Sequence, residues 1–446
     1  MTPAALAGRL RDCVAAGEFA PLTEAFADDA LLDASLPGSR RKARGPVAIA
    51  AVLTACFPGP GRLVEWTPSV HPEGIAVWLE RVAEAGDVVR QRHYLRLGEG
   101  RVTRHWLYAA RPHTAAPAPP AAAAEQLFAG LGPIAERVTL ASSGWSGNRI
   151  DRLVLADGGT LIAKRIVPGS DWIGRGTKDP GREAVLFADG TFARLPRSVD
   201  PAVVAAEREG DAWWVVMRDV SADLLDDDSL LTRDQNRFVM GAAAAMWEEF
   251  WEDAPASAGA LTDRLGLMGP ATAELERGGL DVLPKQMEAA WEAFAEAVDD
   301  DVAEAVLAAH EDPGRLASAL DERGTTLIHG DLRDENIGLP EGRLVLLDWG
   351  LATRAHPAVE LAWYMVHDVW RLDAAHDQVV GDFRRALGER DDPHALDLGM
   401  IAGLMMYGWI FGHSAVVHTD PAEREWARQE LAWWVPRVRQ ALDNWR

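Results

Sequence analysis

Residues 327–350, LIHGDLRDENIGLPEGRLVLLDWG, constrain this chain more than any other stretch. His329, Asp331 and Asn336 stand at the spacing H-x-D-x-x-x-x-N, and Asp348-Trp349-Gly350 begins twelve residues after Asn336. The apolar runs Ile337–Leu339 and Leu344–Leu347 flank the turn Pro340-Glu341-Gly342, which is the pattern of a β-hairpin. Such a hairpin carries a loop residue, Asn336, and a strand-end residue, Asp348, to one place. These residue types suit phosphoryl transfer, which asks a protein mainly for positioning and charge neutralisation. Asn336 and Asp348 offer hard oxygen ligands for Mg²⁺. Asp331 is suited to orient an acceptor hydroxyl and take its proton. Arg333 has a planar donor fork for the transferred phosphate, and His329 would buttress the loop. A lone D-W-G would mean no more than an acidic turn before a buried strand; both elements at this spacing are far more specific.

The chain has 446 residues, enough for two or three domains, and 48% hydrophobic content supports sizeable cores. A formal net charge of −23 argues against a nucleic-acid-binding surface and favours solubility or cationic partners. Cys13 and Cys56 supply neither a disulfide framework nor a zinc spacing. The N-terminus lacks the basic start and apolar core of a signal peptide, so a cytoplasmic location is expected. Leu398–His418 carries no Lys, Arg, Asp or Glu and is about long enough to span a bilayer. Its four glycines and the lack of nearby Lys or Arg anchors predict a buried helix instead, with no membrane partner.

Residues 1–112 read as an α+β domain, with helices near Ala4–Ala16, Phe19–Phe26 and after Gly45-Pro46, then strands near Leu63–Thr67, Gly74–Val82, Val88–Leu97 and Val102–Ala109. The string FAPLTEAFADDALLDASLPGSRRKARGPVAIAAVLTACF resembles the start of domains similar to nuclear transport factor 2, the SnoaL-like group. The resemblance implies a cone in which a curved sheet wraps helices around a pocket. It also makes this domain a candidate for homodimerisation. His93, His105, Trp78, Glu80 and Tyr108 lie on its strands and are candidate pocket residues, with core or surface filling as the alternative. Residues 113–124, containing TAAPAPPAAAA, read as an Ala/Pro linker.

HGDLxxxN followed by D-W-G resembles the catalytic loop and metal-binding strand of the aminoglycoside phosphotransferase and choline kinase family, a small-molecule branch of the protein-kinase-like fold. Asp334-Glu335 stands where the family often has Pro and a small residue, and Trp349 where protein kinases have Phe. The resemblance covers about residues 130–440. It implies a bilobal domain with a β-rich small lobe at 125–220 and a helical large lobe at 221–446. It implies ATP, or GTP, as co-substrate with Mg²⁺, and a small-molecule hydroxyl as acceptor: an aminoglycoside or other antibiotic, an amino alcohol or a sugar. In the small lobe, the small-residue turn Ser142–Asn148, with Ser143, Gly144, Ser146 and Gly147, would approach the phosphates. Lys164, ending the strand Thr160–Lys164, would grip the α- and β-phosphates, and Glu183 would pair with it. Asp179-Pro180 reads as the start of the helix that carries Glu183. Met217 and Asp219 border a hinge, Arg218-Asp219-Val220, whose backbone would meet the base. Residues 168–178 read as a mobile loop or a phosphate flap. Acceptor-binding candidates are acidic, which suits a cationic acceptor: Asp226–Asp228, Asp334, Glu335, Glu360 and Asp368. A protein kinase is disfavoured because a helix begins near Pro357 and leaves little room for an activation loop. A non-catalytic nucleotide-binding scaffold is the other alternative.

Overall fold

The computed structural model describes residues 1–36, 39–71, 74–83, 88–110, 127–128, 130–140, 148–225, 230–279, 281, 283–369, 372 and 374–445. The expected linker at 113–124 and most of the Ser142–Asn148 turn lie outside these residues. The chain divides into two compact units, one of Met1–Pro117 with Glu276–Val282 and one of Ala118–Leu275 with Leu283–Arg446.

The first unit opens with the helix Pro3–Ala16, started by Thr2, whose hydroxyl accepts from Ala5 N, and by Pro at its first turn. Leu6, Leu10, Cys13 and Val14 form its buried stripe. A 3₁₀ turn, Ala20–Ala25, and the helix Pro46–Cys56 follow the expected order. The six strands are β1 (Phe26–Leu36), β2 (Ser39–Arg44), β3 (Gly61–His71), β4 (Gly74–Ala83), β5 (Val88–Gly98) and β6 (Arg101–Ala110), in spatial order β2-β1-β6-β5-β4-β3. The hairpin β1–β2 departs from expectation, since no strand was read at 27–44. Its inward positions are Ala30, Leu32 and Ala34, all buried. Alanine at alternate positions carries little of the β-branched signal that marks a strand.

His93 and His105 lie in the interior of this unit, each fully buried. His93 Nδ1 meets His105 Nε2 at 3.0 Å, and His93 Nε2 meets Gln91 Oε1 at 2.9 Å. Burial pushes the His93 ring well below the ordinary value, helped by the neighbouring His105, and burial takes His105 down to about 3. The side chains of Trp78, Glu80 and Tyr108 lie outside the described residues.

The second unit begins with a five-stranded antiparallel sheet: β7 (Ile134–Leu140), β8 (Arg149–Leu155), β9 (Thr160–Ile166), then, after the short β10 (Val199–Asp200) that pairs elsewhere, β11 (Val203–Glu209) and β12 (Ala212–Arg218). The order β11-β12-β9-β8-β7 sets Lys164 of β9 opposite Val215 of β12 and Ile150 of β8. Helices then dominate. Thr232 starts the helix Arg233–Glu249 with a reciprocal capping box to Gln235. The helices Leu283–Ala297 and Asp300–Glu311 follow, and Pro357–Asp368 begins at Pro357, where a helix was expected.

The apolar stretch at 398–418 forms the helix Pro393–Val416, long and apolar enough to cross a membrane but mostly buried inside this unit. Its glycines allow helices to approach. A Cβ at Gly399 would lie 2.7 Å from Ala358 O, one at Gly403 2.7 Å from the Trp434 ring, and one at Gly412 2.3 Å from Phe294 Cα. The last obstacle is backbone, which no side-chain rotation relieves. Gly412→Ala should therefore destabilise the unit by about 1–3 kcal/mol or more, read as a lowered denaturant midpoint; an unchanged midpoint would show that the two helices separate freely.

Candidate active site

The hairpin expected at the centre of the motif is present. Ile337–Gly338 pairs antiparallel with Leu344–Leu346, and Leu347 N donates to Asn336 O at 2.9 Å. Asp348 leaves the second strand at φ 60°, ψ 70°. Few non-glycine residues take this left-handed conformation, and Asp is among those that tolerate it best. Behind it Trp349 is fully buried, donates to Leu346 O at 2.9 Å and meets His329 edge-on at a centroid distance of 4.7 Å. His329 is fully buried, and burial lowers its basicity against the opposing Asp331 and Asp348 charges. Its ring packs against Trp349 behind the loop.

Asp348 Oδ1 accepts from Lys164 Nζ at 2.7 Å, and Glu183 Oε2 lies 3.1 Å from the same nitrogen. The side chains of Lys164 and Glu183 are almost wholly buried, whereas that of Asp348 is 43% exposed, so Asp348 presents an anionic edge outward. Burial alone would pull Lys164 down, but the Asp348 and Glu183 carboxylates outweigh it and hold the ammonium well above its ordinary value. Burial likewise works to raise Asp348, and Lys164 overrides it, holding that carboxyl down. Glu183, the most enclosed of the three, is pushed up by burial despite Lys164.

Glu183 sits in the first turn of the helix Arg182–Ala188. That helix starts two residues later than Asp179-Pro180 implied, because Gly181 takes φ 88°. Asp179 still serves its end: Oδ1 accepts from Gly181 N at 2.9 Å and from Arg182 N. Arg182 is buried and donates to Gly350 O and to Thr177 O, tying this helix to the D-W-G segment. Residues 168–178 contain a short helix, Trp172–Gly176, capped by Asp171, and Lys178 pairs with Asp263 at 2.8 Å.

Asp331 is held from both sides. Asn336 Nδ2 donates to its Oδ2 and to its backbone oxygen, each at 2.9 Å, and Trp363 Nε1 donates to its Oδ1 at 2.9 Å. Arg333 Nε lies 3.4 Å from the same Oδ1, with Nη1 2.7 Å from Glu335. With its nitrogen committed to Asp331, Asn336 keeps its amide oxygen as a hard donor. That oxygen and the exposed Asp348 carboxylate fit a divalent cation that shares its remaining positions with phosphate and water. Among the described residues no group of three or more His, Cys, Asp or Glu stands together as a metal cage.

The loop is anchored by residues that sequence reasoning assigned elsewhere or passed over. Glu360, expected among the acceptor-binding acids, is fully buried. Its Oε2 accepts from His329 N at 3.0 Å and Trp247 Nε1 at 3.2 Å, and its Oε1 from Gly330 N at 2.7 Å. Arg264, also buried, donates through Nε and Nη2 to Gly330 O at 3.2 and 3.1 Å. Burial takes Arg264 down to about 10 against the nearby Asp331 and Glu360. Gly330 itself has φ 79°, and a Cβ there would lie 2.0 Å from Leu351 O, so no other residue fits. Asp368, another acid expected to meet the acceptor, is buried and accepts from Asp334 N at 3.1 Å. Asp226–Asp228, and of the nucleotide candidates Ser143, Gly144, Ser146 and Gly147, lie outside the described residues. Met217 is buried on β12 among Ile166, Ala184 and Val345. The Asp219 carboxylate is engaged by Arg152 at 2.9 Å and by Ser221.

The structure resembles an aminoglycoside phosphotransferase from Alicyclobacillus acidocaldarius, with 18% identity, 75% of this chain and 98% of that one covered, and a TM-score of 0.38. It resembles the choline kinase LicA from Streptococcus pneumoniae at 12% identity, with 72% and 97% covered and a TM-score of 0.39. An NTF2-like protein of unknown function from Mesorhizobium loti is similar over 24% of this chain and 90% of its own, at 20% identity and a TM-score of 0.22. No curated protein matches the chain. Residues 137–398 match the phosphotransferase enzyme family, a span of more than half the chain that includes Lys164, Glu183, Asp331, Asn336 and Asp348. The chain therefore belongs to the phosphotransferase enzyme family and is a small-molecule phosphotransferase.

Proposed function

We propose that this enzyme transfers the γ-phosphoryl group of ATP, or of GTP, to a hydroxyl of a small molecule in the cytoplasm, with Mg²⁺ bound by Asn336 and Asp348. The observation that carries this reading is the fixed Asp331 carboxylate on the hairpin-linked segment that also carries Asp348, the exposed member of the Lys164–Asp348–Glu183 cluster. When bound, Mg²⁺ would neutralise phosphate charge. Lys164, kept cationic by two carboxylates, would hold the α- and β-phosphates. Asp331 would accept a hydrogen bond from the acceptor hydroxyl, orient its oxygen for in-line attack and take its proton as the new P–O bond forms, while the bond from the γ-phosphorus to the β,γ-bridging oxygen breaks and the nucleoside diphosphate leaves with that electron pair. Arg333, already beside Asp331, would meet the charge on the transferred group. His329 would remain neutral and hold the loop. Once Glu360 and Asp368 are assigned to the interior, Asp334, half-buried, and Glu335, 62% exposed, are the acidic candidates left among the described residues to meet a cationic acceptor. Aminoglycosides, other antibiotics, amino alcohols and sugars are the acceptor classes.

The test is incubation of the purified chain with Mg-ATP or Mg-GTP and a panel of those acceptors, read as a mass gain of one phosphate. Transfer to a cationic acceptor is the expected result. Tight binding of the Mg-nucleotide with neither phosphorylated product nor nucleoside diphosphate release would overturn the reading in favour of a nucleotide-bound scaffold.

A further inference from the structure

Trp363 stands at the meeting point of three sets of contacts. Its Nε1 donates to Asp331 Oδ1 at 2.9 Å. Its ring carries the Arg264 guanidinium, 4.1 Å from the ring centroid, and that guanidinium grips Gly330 O through two nitrogens. The His367 ring lies 4.3 Å from the Trp363 ring, and Tyr407 closes the group at 4.6 Å from His367 and 6.3 Å from Trp363. Trp363 shares the helix Pro357–Asp368 with Glu360 and Asp368. That one helix therefore holds the loop before Asp331, at the amides of His329 and Gly330, at Asp331 itself, and after it, at the amide of Asp334.

A carboxylate with a single donor can still turn about its Cβ–Cγ bond, whose torsion is broad. With Asn336 Nδ2 on Oδ2 and Trp363 Nε1 on Oδ1, the Asp331 carboxylate is fixed in plane. The lone pairs left over then point in set directions. Proton transfer and in-line attack depend on that direction, and a small misplacement costs rate steeply.

We infer that Trp363 is a positioning residue for phosphoryl transfer: its indole N–H sets the plane of the Asp331 carboxylate, and Arg264 and His367 hold the indole in place. The inference rests on the role proposed above for Asp331. Filling the core is the bland role for a Trp that is 3% exposed, and the two roles predict opposite orders for two substitutions. Trp363→Phe keeps an aromatic face for Arg264 and most of the packing but removes the donor. Trp363→His discards the benzo ring and most of the apolar contact, yet a flipped imidazole places an N–H at the ring position that Nε1 occupied.

The experiment measures kcat, KM for the nucleotide and thermal midpoint for wild type, Trp363→Phe, Trp363→His and Asp331→Asn with one acceptor from the panel. Trp363→Phe should lower kcat by about 10- to 100-fold with nucleotide KM within a few-fold of wild type. Trp363→His should keep the higher kcat of the two while having the lower midpoint. If kcat instead follows the midpoint, with Trp363→Phe near wild type, Trp363 is core filling and the inference is overturned while the role of Asp331 stands. Full transfer by Asp331→Asn, or none by wild type, overturns both. Should Trp363→Phe not fold, Trp363→His decides alone: kcat within about tenfold of wild type supports the donor role, and a folded, inactive protein removes it.

Discussion

Asp331→Asn should lower the rate of phosphoryl transfer by about 10²–10⁴-fold while the affinity for the Mg-nucleotide changes little. The substitution is close in size, so the loop, gripped by Glu360 and Arg264, has no steric reason to move. Two things change. The side chain no longer accepts a proton at neutral pH. It also presents an NH₂ group to partners that are themselves donors, Asn336 Nδ2 at one oxygen and Trp363 Nε1 at the other. One of those contacts must become donor against donor, which turns the amide out of the plane held in wild type. Lys164 and Asp348, the residues proposed to hold the Mg-nucleotide, touch neither partner among the hydrogen bonds of the described residues. Single-turnover phosphate transfer beside equilibrium nucleotide binding separates the two effects. Transfer at the wild-type rate would remove Asp331 from its assigned role, and a parallel collapse of nucleotide binding would show that the loop itself had moved.

What the sequence made legible was local or recurrent. Asp331, Asn336 and Asp348 were readable because a loop, a hairpin and a strand end within 24 residues set their relative places. The buried glycine-bearing helix followed from a pattern carried on a single element. The Lys164–Glu183 pair came through the family resemblance, since nothing in the spacing of 19 residues demands it. The anchors of the catalytic loop were not legible for the same reason. Arg264 meets Gly330 across 66 positions, Trp247 meets Glu360 across 113, and no short pattern marks either. Glu360 and Asp368 read as acids for an acceptor because burial of a carboxylate is the exception. The N–H bond from Trp363 to Asp331 appears only when two elements are brought together. The β1–β2 hairpin was passed over because alanine at its inward positions gives no strand signal.

Glu360→Gln carries the second large effect, and its direction follows from counting donors. Three N–H groups, from His329, Gly330 and the Trp247 indole, converge on the two Glu360 oxygens. A glutamine has one acceptor oxygen, so its NH₂ must face at least one N–H at the base of the catalytic loop, with that donor left unsatisfied in a dry interior. The variant should lose about 2–4 kcal/mol of stability, and its kcat should fall because Gly330 is free to shift the adjacent Asp331. Its pH dependence gives an independent check. Burial pushes Glu360 up to about 7, against the hydrogen bonds from Gly330, His329 and Trp247 and the charge of Arg264. A carboxyl whose folded value lies above its unfolded value of about 4.3 favours the folded state most strongly at acid pH. That contribution is complete below about pH 4.3 and is lost as pH rises through about 7. Between those limits the stability difference between wild type and Glu360→Gln should therefore shrink as pH rises, followed by urea unfolding at several pH values. A difference that stays constant across that window would show that Glu360 holds the same protonation state folded and unfolded, with the three donors keeping it ionised throughout. A variant as stable and as active as wild type at every pH would show that the catalytic loop does not depend on this carboxylate.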